Sequence, residues 1–284
     1  MTADARMTLS DLAVQWEGCT KCDLHVRRDA ENAPIILGEG MPRGYLFVGE
    51  APSLDDERSG STFSNREGSD ILIRAIDKLQ LYPVYLTYLV ACRSCSTVMD
   101  EDGNPRMRHG RAGEELGYLY SDQPPTKPQQ TACRERLVSE IYMADPIVII
   151  ALGQVVASNL FGSHLKLNSI RGTPMEISIP GAGMQPLLTA KGKWGRMVKG
   201  EYVRPMQPTP VRYTMIPTYA PAELGAKITD RIKNNPFDTF EKDLLLARSI
   251  FVKYHEETTG VMPTYYEEAQ EGTEEPNGDS EEED

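Results

Sequence analysis

Tyr45-Leu46-Phe47-Val48-Gly49-Glu50-Ala51-Pro52-Ser53, running on to Gly60-Ser61-Thr62-Phe63, decides how the rest of the chain is read. Four apolar residues bounded by Gly and Pro predict a short strand buried on both faces, as in a parallel sheet covered by helices. Gly49 ends the run, and Pro52 cannot continue a ladder, so the chain turns there. Glu50 is thereby delivered to the carboxyl end of a central strand, the edge at which open α/β sheets bind ligands. Asp55-Asp56-Glu57 and the aromatic Phe63 follow within one loop. Taken alone, the stretch also reads as an ordinary strand–turn–helix unit with solvated acids.

Outward from it, strand and helix patterns alternate. Residues 8–16 read as a short helix with Leu12, Ala13 and Trp16 on one face. Ala33 to Leu37 is extended. An amphipathic helix starts at Ser69 or Asp70 and runs to Leu79. Val84 to Val90, rich in β-branched and aromatic residues, predicts the next strand and ends at Cys92. A helix over Gln129–Met143 carries Cys133, and Ile147 to Leu152 is another buried strand. Helix 155–161, the turn Arg171-Gly172-Thr173-Pro174, strand 213–216 and a helix from Pro236 to about Tyr254 complete the pattern. This order predicts an α/β fold with a parallel sheet. Residues 1–262 form one domain with irregular insertions at about 96–128 and 175–209, both too long for ordinary connections.

At 284 residues and 31.7 kDa the chain can bury one sizeable core. No run of 18 apolar residues occurs and the first ten residues lack an apolar signal core, so a cytoplasmic protein without membrane contact is expected. The net charge of −12 is concentrated at one end. Residues 263–284 form a tail with ten acids and no base, expected to be disordered. Without it the body carries 30 bases against 32 acids. Within that balanced body, Lys191, Lys193, Arg196, Lys199, Arg204 and Arg212 gather beside one acid, Glu201. The cluster reads either as a solvated loop or as a phosphate-contacting surface.

Five cysteines in a cytosolic chain do not make a disulfide framework. Cys19-x-x-Cys22 with well-separated thiols at Cys92, Cys95 and Cys133 suits a zinc or iron–sulfur site, in which a close pair is completed by distant loops. Plain buried thiols are the other reading.

These pieces, in this order, resemble the uracil-DNA glycosylase superfamily, specifically the iron–sulfur branch called family 4, which includes phage members related to DNA polymerase. The resemblance spans about Leu12 to Ile250. It rests on Cys19-Thr20-Lys21-Cys22, on Gly49-Glu50-Ala51-Pro52-Ser53 with Asp56-Glu57, Gly60 and Phe63, and on Tyr85 to Cys92-Arg93. Cys133 with Leu152-Gly153, and Arg171-Gly172, complete it. It implies a three-layer α/β/α fold around a four-stranded parallel sheet. It also implies a [4Fe-4S] cluster on Cys19, Cys22, Cys92 and Cys133, with Cys95 spare. The implied chemistry is hydrolysis of the N-glycosidic bond of a base flipped out of DNA. Glu50 takes the catalytic carboxylate position. Phe63 takes the stacking position, and Ala51, Pro52, Tyr88 and Ala220 the remaining base pocket. Arg171, Lys193, Arg196 and Lys199 are expected on the DNA side, and the chain is expected to work as a monomer.

Two positions depart from the family pattern. Its base-reading Asn is here Tyr88, and its His-Pro-Ala reads Ala220-Pro221-Ala222. The expected function is therefore a divergent glycosylase with an altered base preference. The alternative is a glycosylase fold that binds DNA without catalysis. A further short match, Arg106-Met107-Arg108-His109-Gly110-Arg111, resembles the histidine loop of a branch that bonds to the abasic sugar, and also reads as a basic surface loop.

Overall fold

Alternating side chains on one strand divide the core in two. The computed structural model describes residues 9–64, 68–109, 111, 113–161, 166–186, 196–198, 201–203, 206–225 and 236–260. Strand β1 (Glu39–Gly40) is an edge, and β2 (Tyr45–Gly49) is fully buried. Tyr45 and Phe47 pack on one face of the sheet, Leu46 and Val48 on the other. Burying both faces is what a continuous apolar run, rather than an alternating one, encodes.

Helices α1 (Leu9–Trp16) and α2 (Leu24–Ala30) precede β2, and α3 (Leu54–Ser59) and α4 (Ser69–Lys78) follow it. Strand β3 (Val84–Tyr88) lies beside β2, with Gly49 opposite Tyr88. The segment 95–122 holds two small antiparallel pairs, β4 (Cys95–Thr97) with β7 (Tyr120–Asp122) and β5 (Met107–His109) with β6 (Glu115–Tyr118). Helix α5 (Lys127–Ala144) leads into β8 (Val148–Leu152), followed by α6 (Gln154–Phe161) and α7 (Leu167–Ile170). Strand β9 (Met175–Pro186), the pair β10 (Arg196–Val198) and β11 (Glu201–Val203), and β12 (Met206–Thr218) come next. Helices α8 (Pro221–Gly225) and α9 (Pro236–Thr259) end the described chain.

The main sheet has the order β1-β3-β2-β8-β12-β9. Its four central strands, β3, β2, β8 and β12, are mutually parallel. The edges β1 and β9 are antiparallel additions. Leu72, Ala75 and Ile76 of α4, with Phe240, Leu244 and Phe251 of α9, cover the Tyr45/Phe47 face. Leu137 and Ile141 of α5, with Val156, Ala157 and Leu160 of α6, cover the opposite face. The result is the three-layer α/β/α sandwich around four parallel strands.

Several local expectations change. The stretch 175–209, expected to be irregular, supplies β9 and the start of a long β12, and the register of the two is explicit from Val211–Ile179 to Met215–Met175. Ile177, Ile179, Tyr213 and Met215 are buried on that hairpin, while Pro208, Pro210 and Pro217 interrupt its reading as a strand. The segment 96–128 likewise carries short hairpins rather than open loop. The acidic run 55–57 is helical, because Ser53 caps α3 through a reciprocal bond with Asp56. The tail 263–284 lies outside the described residues. Among those residues, no helix is long and apolar enough to cross a membrane.

Candidate functional site

The carboxyl ends of β2, β3, β8 and β12 meet at one cavity of about 340 Å³. Glu50, Ala51, Pro52, Phe63, Tyr88 and Ala220 all line it. Glu50 follows β2 directly and is half-buried. Its carboxylate lies beside Gly153, where a Cβ would come within 3.3 Å of Glu50 Oε1 and 3.2 Å of Ala220 Cβ. Gly153 also has φ +92°, so only glycine fits the turn from β8 into α6 without strain. Burial raises the Glu50 pKa first, the charge of Glu223 adds to it, and a hydrogen bond from the backbone amide of Val155 partly offsets both. A carboxyl group biased toward its neutral form, in a cleft, is the usual setting of a general acid or base.

Opposite Glu50 the cavity is shaped by a stacked pair. The Phe63 and Tyr88 rings have centroids 4.7 Å apart and planes 23° apart. The backbone N–H of Phe63 donates to the Tyr88 hydroxyl at 2.8 Å, and that hydroxyl donates to Asp56 Oδ2 at 2.9 Å. Asp56 is only 2 % exposed and also accepts from Ser53 N–H at 2.7 Å, Ser53 Oγ at 2.8 Å and Ser64 N–H at 2.6 Å. Burial, followed by the Asp56 charge, drives the Tyr88 phenol well above its ordinary range, so it stays a neutral donor. A Cβ at Gly49 would strike both rings, within 2.8 Å of Tyr88 and 2.9 Å of Phe63. Phe63 itself sits at φ +49°, a position held by the bonds on either side of it.

Three further lining residues carried no signal in the sequence. Ser94, Asp122 and Gln123 also line the cavity. Gln123 N–H donates to Ser94 O at 2.8 Å, and Arg93 Nε donates to Asp122 Oδ1 at 2.5 Å, extending the β4–β7 pairing to the pocket. Only tertiary placement brings 94 and 122–123 together, so no local motif could announce them.

A second hollow lies next to the first. Cys19, Cys22, Cys92 and Cys133 line it together, and Cys95 does not. Its walls are apolar, with Leu24, Val90 and Ile35 among them, and Ala51 of the first pocket packs against the same cluster. Two N–H groups face the sulfurs: Ala91 N–H lies 3.4 Å from Cys133 Sγ and Arg28 Nη1 3.7 Å from Cys92 Sγ. Burial pushes the Cys92 thiol up to about 11 and raises Cys22. Among the described residues, no three His, Cys, Asp or Glu side chains gather closely enough to hold one metal ion.

The basic residues divide differently. The part-exposed Arg171 guanidinium lies 3.2 Å from Asp243 Oδ1 and 5.4 Å over the Tyr219 ring. Lys193 and Lys199 lie outside the described residues, as does the side chain of Arg196. Arg212 pairs with Glu176 at 2.9 Å on the surface. His109 is exposed on β5 and does not line the pocket.

With the geometry in place, comparison with known proteins is informative. Residues 42–245 match the family described as the Uracil DNA glycosylase superfamily. A Type-4 uracil-DNA glycosylase of Thermotoga maritima is 26% identical over 162 residues, covering 56% of this chain and 69% of that one. The protein of the same name from Pyrobaculum aerophilum is 27% identical over 190 residues, covering 64% and 82%. That from Archaeoglobus fulgidus is 23% identical over 198 residues, covering 68% and 78%.

Proposed function

We propose that this chain, which belongs to the uracil-DNA glycosylase superfamily, is a DNA glycosylase whose base preference has moved away from plain uracil. The observation that carries the reading is the convergence of Glu50, Phe63, Tyr88 and Ala220 on one cavity at the carboxyl edge of the sheet. A base inside a duplex is out of reach of such a cavity, so the target nucleotide must be flipped into it.

In the reaction the C1′–N bond breaks, water adds its oxygen to C1′, and the departing base takes up a proton. Glu50 serves this in its ionised form, by orienting the water and accepting its proton. The charge leaving on the base needs a donor, and Ala220 has none to offer. Loss of one such donor costs on the order of 10²–10³ in rate. Tyr88 presents a single hydroxyl, already bonded on both sides, where an amide would present a donor and an acceptor. Both changes act against uracil and neither removes Glu50.

The four-cysteine hollow supports a [4Fe-4S] cluster on Cys19, Cys22, Cys92 and Cys133. Four thiols, apolar walls and N–H groups directed at sulfur are the donor set and surroundings such clusters use. When bound, the cluster would supply structural cross-linking of Cys19–Cys22, the end of β3 and α5.

The test is an excision panel of oligonucleotides carrying uracil, hypoxanthine, xanthine and modified pyrimidines, single- and double-stranded. Excision of at least one base, lost in Glu50→Gln, is the expected result. No excision of any base would leave a glycosylase fold that binds DNA without catalysis.

A further inference from the structure

We propose that Tyr88 is a built-in occupant of the slot beside Phe63, and that it diverts the flipped base to the wall of Ser94, Gln123 and Ala220. The inference rests on the glycosylase reading and names the class of base that this same site accepts. Three observations carry it.

The first is that the slot is full. Tyr88 stacks on Phe63 at 4.7 Å and 23°, the offset geometry that a bound base would adopt on that ring. Its hydroxyl takes the Phe63 N–H, the backbone donor next to the ring, and is anchored in turn by Asp56. With Tyr88 only 4 % exposed and each hydroxyl bond satisfied, no face or donor of Phe63 on that side is left for a pyrimidine.

The second is that the remaining space is large. About 340 Å³ stays open after Tyr88 has taken its place, because Ala220 contributes only a methyl group where the strand end could have carried a ring. A single-ring base would rattle in that volume. A two-ring base would fill more of it and gain the apolar contact that drives binding in such clefts.

The third is a polar group placed to read an edge. Gln123 lines the cavity, and its backbone is pinned to Ser94 O at 2.8 Å. Among the described residues its exposed side-chain amide makes one contact, a long 3.5 Å one to Ser121 Oγ, so it is available to a ligand. A carboxamide offers an acceptor and a donor side by side, the complement of the N6/N7 edge of a 6-aminopurine. The accepted base is therefore a purine, seated in the cavity beside the Phe63–Tyr88 pair and read by Gln123.

Free adenine and free uracil are the probes, and saturation-transfer NMR on the full chain is the measurement. It reports contact without any need for cleavage. The parent protein should contact adenine and not uracil. Gln123→Ala should weaken adenine about tenfold, the loss of roughly one hydrogen-bond pair. Tyr88→Ala should admit uracil. Tyr88→Phe keeps the ring and the packing, so it should fold like the parent and still exclude uracil. Uracil contact in the parent, or equal uracil contact in Tyr88→Phe and Tyr88→Ala, overturns the proposal. So does adenine binding indifferent to Gln123→Ala. Excision run on the same variants, with oligonucleotides carrying adenine added to the panel, separates the two claims. The expected binding pattern with no cleavage of any base sinks the glycosylase reading alone. Brisk uracil excision by the parent with uracil contact sinks the diversion alone.

Discussion

Replacing Arg136 by Met tests how the end of β3 is held. Arg136 and Glu140 are both fully buried on α5 and pair at 2.8 Å. Glu140 Oε1 accepts from Gly38 N–H at 3.0 Å, and Thr87 Oγ1 donates to Glu140 Oε2. Arg136 also donates to Thr87 Oγ1 at 3.2 Å, to Leu89 O at 3.2 Å and to Tyr88 O. Met has a similar length and no charge, so the variant leaves a buried carboxylate and two backbone carbonyls without their cation. Stranding one member of a buried ion pair typically costs about 3–5 kcal/mol. The stranded carbonyls would add about 1–3 kcal/mol each if independent, but they share the same cation and do not add fully. A loss of about 4 kcal/mol, near a thousandfold in the folding constant, is expected. Urea unfolding followed by far-ultraviolet circular dichroism measures it, with the slope checked for constancy. The double variant Arg136→Met with Glu140→Met removes the stranded charge and should regain part of the loss. A single variant within about 1 kcal/mol of the parent, or a double variant worse than the sum of its singles, would refute the reasoning.

Three other outcomes follow from the site. Protein purified without oxygen should be brown with about four irons per chain, and Ser at Cys19, Cys22, Cys92 or Cys133 should bleach it while Cys95→Ser should not; one zinc per chain would contradict this. Folding raises the Glu50 pKa, so the native state holds that proton longer than the unfolded chain does. The stability from this group is full below the ordinary carboxylate range and is lost as pH rises toward the folded value. Glu50→Gln should then be at least as stable as the parent at pH 7, with the difference closing on acidification. The acid limb of any excision rate should also lie above the ordinary carboxylate range, and a limb within that range would count against Glu50. Tyr88→Asn with Ala220→His should raise uracil excision about a hundredfold or more, the scale of one regained donor, and Glu50→Gln in that background should abolish the gain; an unchanged rate would show that the pocket is altered elsewhere.

Local signals carried most of the architecture. The runs at 45–48 and 147–152 announced buried central strands because they are apolar on both faces, and glycine at 49 and 153 marked where each ends. The β9–β12 hairpin was hidden by Pro208, Pro210 and Pro217, which break the alternation a strand is recognised by although an edge partner tolerates them. Helix α2 was missed because Leu24–Ala30 shows no apolar face, with Val26 exposed and Arg28 buried. At the site, Glu50 and Phe63 were legible from one loop. Their setting was not, because Tyr88 becomes a stacking partner only when β3 pairs beside β2. Gln123, 35 residues beyond that strand's end (123 − 88), reaches the pocket only through the placement of the β4–β7 hairpin. The Arg171-Gly172 turn was legible too, whereas the Asp243 partner that α9 brings to Arg171 was not.

The positions that distinguish this pocket sit at the ends of strands and on a hairpin rather than inside the packed layers. Tyr88 ends β3, Ala220 follows β12, and Gln123 belongs to a small hairpin outside the main sheet. Ala220 and Gln123 can change without disturbing the Tyr45/Phe47 and Leu46/Val48 layers, because neither belongs to those two cores. Asp56 differs, since one carboxylate caps a helix, pins Ser64 and anchors Tyr88. Diversification of such a chain therefore has free letters and a fixed one: new base preferences can be written at the rim residue by residue, whereas any route through Asp56 must rebuild the loop that carries Phe63.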